Sequence, residues 1–226
     1  MSELQTYLAE GQALDTLIKS EGLSEQINKL REWQCRRLLT THQSLYAQKQ
    51  YTPAMDFFTQ ELYGPNDFSQ RDKDIEKALP LMEAALSDKT LETFGIALQL
   101  NTLSFQLDLE LAKQLGNPEA ITSQLYADAY RVCNNQGDRE LQLGYIELLS
   151  AELNKIANRR SIMLVLKLAR VPANLAGLGD LQRILESGAS AFRKINKIDN
   201  FIHPILSGEN EIMQQLFVGK NCLPDI

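Results

Sequence analysis

A chain of 226 residues with 44% hydrophobic and 23% charged side chains is ordinary globular material, able to bury a sizeable core and too apolar for disorder. Its net charge of −6 argues against bulk nucleic-acid binding, which needs a net basic face. Three widely spaced cysteines, Cys35, Cys133 and Cys222, without a C-x-x-C pair fit a reducing compartment and neither a disulfide framework nor a zinc set.

Apolar residues recur at helical spacing from end to end, and strand alternation is nearly absent. The pattern predicts a first helix over about 2–19, closed by Glu21-Gly22. Ser24 is placed to cap a long second helix reaching about Gln50, with Ile27, Leu30, Trp33 or Gln34, Leu38 and Tyr46 along one face. Thr52-Pro53 restarts a helix, threonine as cap and proline at the first helical position. Tyr63-Gly64-Pro65 ends it, glycine supplying a left-handed cap and proline blocking continuation. Ser69-x-x-Asp72 resembles a capping box for a short helix bent near Pro80.

Residues 88–115 carry two apolar stripes and a narrow polar edge, the mark of a central helix. Gly116-Asn117-Pro118 stops it, and helices follow over about 119–134 and 137–158. An apolar helix over 160–170 is interrupted by Pro172. Gly177-Leu178-Gly179-Asp180 opens another to about Lys194, and a last one covers about 201–217. The expected architecture is all-α, a single domain over 1–226 built as one bundle of about nine helices. Residues 2–20 and the polar tail 220–226 are expected at its periphery.

Charge is unevenly spread. Residues 1–154 hold 13 basic and 23 acidic side chains, whereas residues 155–200 hold 9 basic and 3 acidic ones. The basic segment either packs on the acidic remainder or forms a docking face for an acidic partner or a small anionic ligand. Its candidate residues are Arg159, Arg160, Lys167 and Arg170. The start of the chain shows no basic or apolar leader region, and the longest apolar run, Ile162–Leu166, is far below the roughly 20 residues that span a bilayer. A cytoplasmic location without membrane contact is expected.

No catalytic set stands out. The two histidines, His42 and His203, lie outside any Glu-x-x-His pair, so neither is read as a metal ligand, and no cofactor is expected. Asp67–Glu76 is acidic but fails as a calcium loop, with Arg71 at the fifth position and no glycine at the sixth. Ala176–Asp180 lacks the third glycine and the preceding strand of a dinucleotide loop. The most distinctive stretch, Phe57 to Asp72, reads first as a rigid corner and second as a pocket wall offering Tyr63, Asp67, Arg71 and Asp72.

The run Phe57-Phe-Thr-Gln-Glu-Leu-Tyr-Gly-Pro-Asn-Asp-Phe-Ser-Gln-Arg-Asp-Lys-Asp74, with Glu147–Glu152, Arg170–Gln182 and Phe192-Arg193, resembles an uncharacterised family of all-helical bacterial proteins. The likeness spans about residues 25–215 and departs at Ser190 and Ala191, where a bulkier aromatic is expected. It implies a bacterial cytoplasmic protein and no particular activity. The reading is a non-enzymatic interaction or ligand-binding protein, with a homodimer possible. The competing reading is a cofactor-dependent helical enzyme of the haem-oxygenase-like class, its pocket near the Tyr63–Asp67 block.

Overall fold

The computed structural model describes residues 2–157, 164 and 167–226, and among them every regular element is helical. Helix α1 (Glu3–Ser20) opens on a reciprocal cap: the Ser2 hydroxyl accepts from the Gln5 amide at 3.3 Å while the Gln5 side chain accepts from the Ser2 amide at 3.0 Å. Gly22, at φ +70, turns the chain into α2 (Ser24–Thr41). Two expectations fail here. Ser24 makes no capping bond, and the helix stops at His42 instead of running to Gln50. The His42 ring turns inward to Glu209 at 2.8 Å, and the short α3 (Gln43–Tyr46) follows, with Leu45 and Tyr51 in a core.

Helix α4 (Thr52–Asp56) has proline in its first turn as expected. The Thr52 hydroxyl caps nothing, however; it donates to the Tyr46 carbonyl at 2.7 Å. The helix widens into a π-helical turn, Phe57–Leu62, closed by the Tyr63 amide on the Phe58 carbonyl at 2.9 Å. Gly64 is not left-handed, contrary to expectation. Glycine is needed there because a Cβ would stand 2.3 Å from the Thr59 carbonyl oxygen, which the wide turn presents to it.

Asp67, not Ser69, starts α5 (Ser69–Ala85): its carboxylate accepts from the Ser69 amide at 2.9 Å and the Ser69 hydroxyl at 2.6 Å. The helix runs on through Pro80. Helix α6 (Asp88–Leu115) occupies the expected span, capped by Ser87 and ended by Gly116 at φ +66. It packs on α1, α2, α7 (Ser123–Cys133) and α8 (Gln136–Ala157), and its second half is the more deeply buried. The apolar helix expected over 160–170 lies mostly outside the described residues; Ala169 is a turn, and Pro172 follows in the first turn of a new helix, α9 (Arg170–Leu175), where a missing N–H costs nothing. Leu164, Lys167 and Leu168 ahead of it are also helical. Gly177, at φ +70, reverses the chain into α10 (Gly179–Phe192), and α11 (Asp199–Phe217) ends before Gly219 at φ +84. The tail docks back on α7, the Ser123 hydroxyl donating to the Pro224 carbonyl at 2.7 Å.

Three apolar clusters hold the bundle. One joins α2, α6, α7 and α11 around Trp33, Leu111, Tyr126 and Leu216. A second joins α4, the π turn, α10 and α11 around Met55, Phe57, Phe192 and Ile195. The third joins α1, α5, α6 and α10 around Leu4, Leu79, Leu98 and Leu181. Gly188 lets α10 approach the π turn, since a Cβ there would lie 2.7 Å from the Phe57 ring.

Candidate functional site

The signature block resolves into separate jobs. Tyr63, set at the end of the π turn, reaches the middle of the bundle and donates to Asp108 at 2.7 Å. Asp108 is 1% exposed and also accepts from Arg31 Nε at 2.8 Å and Gln34 Nε2 at 3.0 Å. The Gln34 amide further donates to the Tyr63 oxygen at 2.7 Å, and Tyr126 donates to the Gln34 carbonyl oxygen at 3.0 Å. Arg31 lies flat over Phe105, 4.3 Å from its centroid. Burial pushes the Tyr63 phenol well above its ordinary value, and the Asp108 charge pushes it further. This phenol is a donor in a packed network and does not ionise at neutral pH.

A second buried set joins α2 to α11. Arg37 grips Glu209 with one nitrogen on both carboxylate oxygens, at 2.5 and 2.7 Å, and His42 meets the same carboxylate. Burial alone would raise the Glu209 carboxyl; Arg37 and His42 override it and hold it at about 2. Arg139 on α8 is buried against the Tyr130 ring, 4.6 Å from its centroid, and its Nε and Nη2 find no hydrogen-bond partner among the described residues.

The other signature residues face elsewhere. Asp67 is exposed near Lys19, and its Ser69 hydrogen bonds lower its pKa. Arg71 binds Asp72 at 2.9 Å and Asn101 at 3.1 Å, and stacks on Phe68. Burial raises the Asp72 carboxyl against the pull of Arg71. The structure thus brings Arg71 and Asp72 together and sends Tyr63 and Asp67 to different partners. Two residues that the sequence reading passed over, Gln70 and Asp74, do more: the buried Asp74 carboxylate accepts from Gln70 at 2.7 Å and from the Leu181 amide at 3.4 Å, so α5 supplies the cap for α10.

An open groove of about 780 Å³ runs beside that cap, lined by Gln70 and Asp74 on one side and Arg170, Asn174, Arg183 and Glu186 on the other. Arg170 grips Glu186, and with the Gln182 amide it holds that carboxyl at about 2. Arg183 reaches Glu61 at 3.3 Å. Arg159 and Arg160 lie outside the described residues. Beside the groove lies a surface of another kind. Leu164, Leu168, Val171 and Leu175, spaced four, three and four apart, are 59%, 69%, 68% and 84% exposed. Among the described residues no group of three or more histidine, cysteine or acidic side chains could hold a metal, and no helix is long and apolar enough to cross a membrane.

A family profile covers residues 13–222, from the second half of α1 to the tail. The chain belongs to the family described as a domain of unknown function, DUF8198. No curated protein and no solved structure matches it. Within this family member the sequence reading missed the buried set of Arg31, Gln34, Arg37, Asp108, Arg139 and Glu209. One signal was present. Asp108 is the only charged residue between Glu92 and Glu110, set in an apolar helix, where only a paired carboxylate is tolerated.

Proposed function

We propose that this member of the family is a non-enzymatic interaction protein of the bacterial cytoplasm, docking a partner protein on the exposed side chains of Leu164, Leu168, Val171 and Leu175. The observation that carries the reading is the uncovered stripe of Leu164, Leu168, Val171 and Leu175. Four large apolar side chains, three to four positions apart, stay largely exposed, and exposed apolar groups that collect into a patch mark interaction surfaces. Asp108, Arg31, Gln34 and Tyr63 are engaged with one another in the middle of the bundle, which suits a scaffold more than a reaction centre. Three free cysteines fit a reducing compartment.

The test is native mass spectrometry of the protein purified from its own host, beside a variant carrying Leu168→Glu and Leu175→Glu. The expected result is a stoichiometric complex for the wild type and a free chain of unchanged Tm for the variant. A free chain in both, or a complex that survives both substitutions, refutes the reading. A bound cofactor in place of a protein would favour the haem-oxygenase-like alternative.

A further inference from the structure

We infer that Arg139 holds a small monovalent anion of chloride size inside the bundle, at the corner between α7 and α8. Three guanidiniums are buried between α2, α6, α7, α8 and α11: Arg31 is 4% exposed, Arg37 8% and Arg139 6%. Two of them have counter-charges. Arg31 meets Asp108 at 2.8 Å, and Arg37 meets Glu209 at 2.5 Å. Arg139 makes no ion pair among the described residues. Glu110 stands on the same side of the bundle: burial raises the Cys133 thiol, and Arg139 and Glu110 act on it in opposite senses. That carboxylate is only half-buried, however, and it accepts from Gln106 at 3.2 Å and Asn135 at 2.7 Å without reaching the guanidinium. The fully buried charges of this cluster thus number three cations, Arg31, Arg37 and Arg139, against two carboxylates, Asp108 and Glu209.

The hydrogen bonds are unbalanced in the same direction. Among the described residues, Arg31 Nη2, Trp33 Nε1, Arg37 Nε and both Nε and Nη2 of Arg139 are buried donors without an acceptor, set against one carbonyl oxygen, Asn135 Oδ1, and the Thr41 hydroxyl. The two Arg139 nitrogens lie side by side on one edge of the guanidinium, the edge that donates parallel bonds to an anion. The Tyr130 ring, 4.6 Å from that guanidinium, attracts the charge but offers the edge no lone pair. Burial raises the Tyr126 and Tyr130 phenols, and Arg139 and Arg37 both oppose it, so the two guanidiniums face the same pair of rings. A buried cation without a counter-charge is strongly unfavourable. Ordered water would supply an acceptor and leave the charge, whereas an anion supplies both. The Arg139 nitrogens are sealed from bulk solvent, so the occupant is compact: one halide-sized ion matches the charge count, and an extended ligand does not.

The experiment compares Tm of the full chain in sodium chloride, sodium acetate and sodium gluconate at equal ionic strength, for the wild type, Arg139→Met and Arg139→Lys. Crystals grown in sodium bromide locate the ion by anomalous scattering. Chloride at ten times its dissociation constant is expected to raise the folded-to-unfolded ratio of the wild type about elevenfold over gluconate, a Tm rise of roughly 3–6 °C. Arg139→Met keeps the bulk and removes the charge; it is expected to lose the chloride response, with a Tm in gluconate no lower than that of the wild type. Arg139→Lys keeps the charge without the paired donors and is expected to respond more weakly. The bromide peak is expected against the Nε and Nη2 edge of Arg139. Equal Tm values in chloride and gluconate overturn the inference, even with a bromide peak at crystal concentration. So does a chloride response that survives Arg139→Met, or a bromide peak only elsewhere. Stabilisation by acetate beyond that by chloride overturns the halide in favour of a carboxylate ligand. Should Arg139→Met fail to fold, the wild-type salt comparison, the Arg139→Lys response and the bromide peak decide the matter.

Discussion

Replacing Asp108 by leucine is expected to remove a large share of the protein's stability without touching its surface. The carboxylate is 1% exposed and accepts from Arg31 at 2.8 Å, Gln34 at 3.0 Å and Tyr63 at 2.7 Å. Its loss leaves the Arg31 guanidinium buried with no counter-charge, which costs about 3–5 kcal/mol. Domains of this kind are stable by roughly 5–15 kcal/mol, so a loss of that size takes a large fraction of the total. The double variant Arg31→Met, Asp108→Leu removes the orphaned charge as well. Only Tyr63 and Gln34 then remain short of an acceptor, at about 1–3 kcal/mol in all. Far-UV circular dichroism through a urea titration measures both variants, with the m-value checked for two-state behaviour. The expected order is wild type, then the double variant, then Asp108→Leu, with a gap of about 2 kcal/mol between the last two. An Asp108→Leu penalty below about 1 kcal/mol, or a double variant at least as destabilised as the sum of the singles, would refute the claim that this pair bears on folding.

Gly64→Ala is expected to cost about 1–3 kcal/mol, because the obstructing atom is the Thr59 carbonyl at 2.3 Å and backbone cannot step aside; calorimetry showing an unchanged Tm would contradict it. Glu209 is held at about 2 in the folded protein, below its ordinary value of 4.5. A depressed carboxyl stabilises the fold above the unfolded-state value and loses that contribution as pH falls through the folded one. Stability should therefore drop by about 3 kcal/mol between pH 5 and pH 2, and Glu209→Gln should flatten that part of the urea-midpoint profile. Burial and the neighbouring Asp108 push the Cys35 thiol up to about 11, whereas Cys222 is exposed. Alkylation of the native protein at pH 8 should label Cys222 first and Cys35 only on unfolding, and early Cys35 labelling would show that the α2 interface opens.

Where helices begin and end was largely legible in the chain, because those signals are local. Residues 88–115 form α6 over the span read from the apolar stripes, and Gly22, Gly116, Gly177 and Gly219 all take positive φ at turns. Local rules went astray where a distant partner competed for the same group. Helix α2 ends at His42, whose ring is buried against Glu209, 167 residues away, a pairing that no local rule anticipates. Gly64 is required by the Thr59 carbonyl of a π turn and not by a left-handed cap, and no helix rule anticipates that wide turn. The Tyr63–Asp72 block read as one cluster along the chain, yet Tyr63 pairs with Asp108 and Asp74 caps α10, contacts that sequence spacing does not encode.

The sequence by itself determined the all-helical class, the turn positions and the basic balance of residues 155–200, since each depends on residues a few positions apart or on counting. Only the tertiary structure decided which polar residues are buried, how they pair, and that Leu164, Leu168, Val171 and Leu175 stay outside the core. An apolar stripe at helical spacing reads the same whether it faces a core or a partner; packing of the other helices alone decides which face is left uncovered.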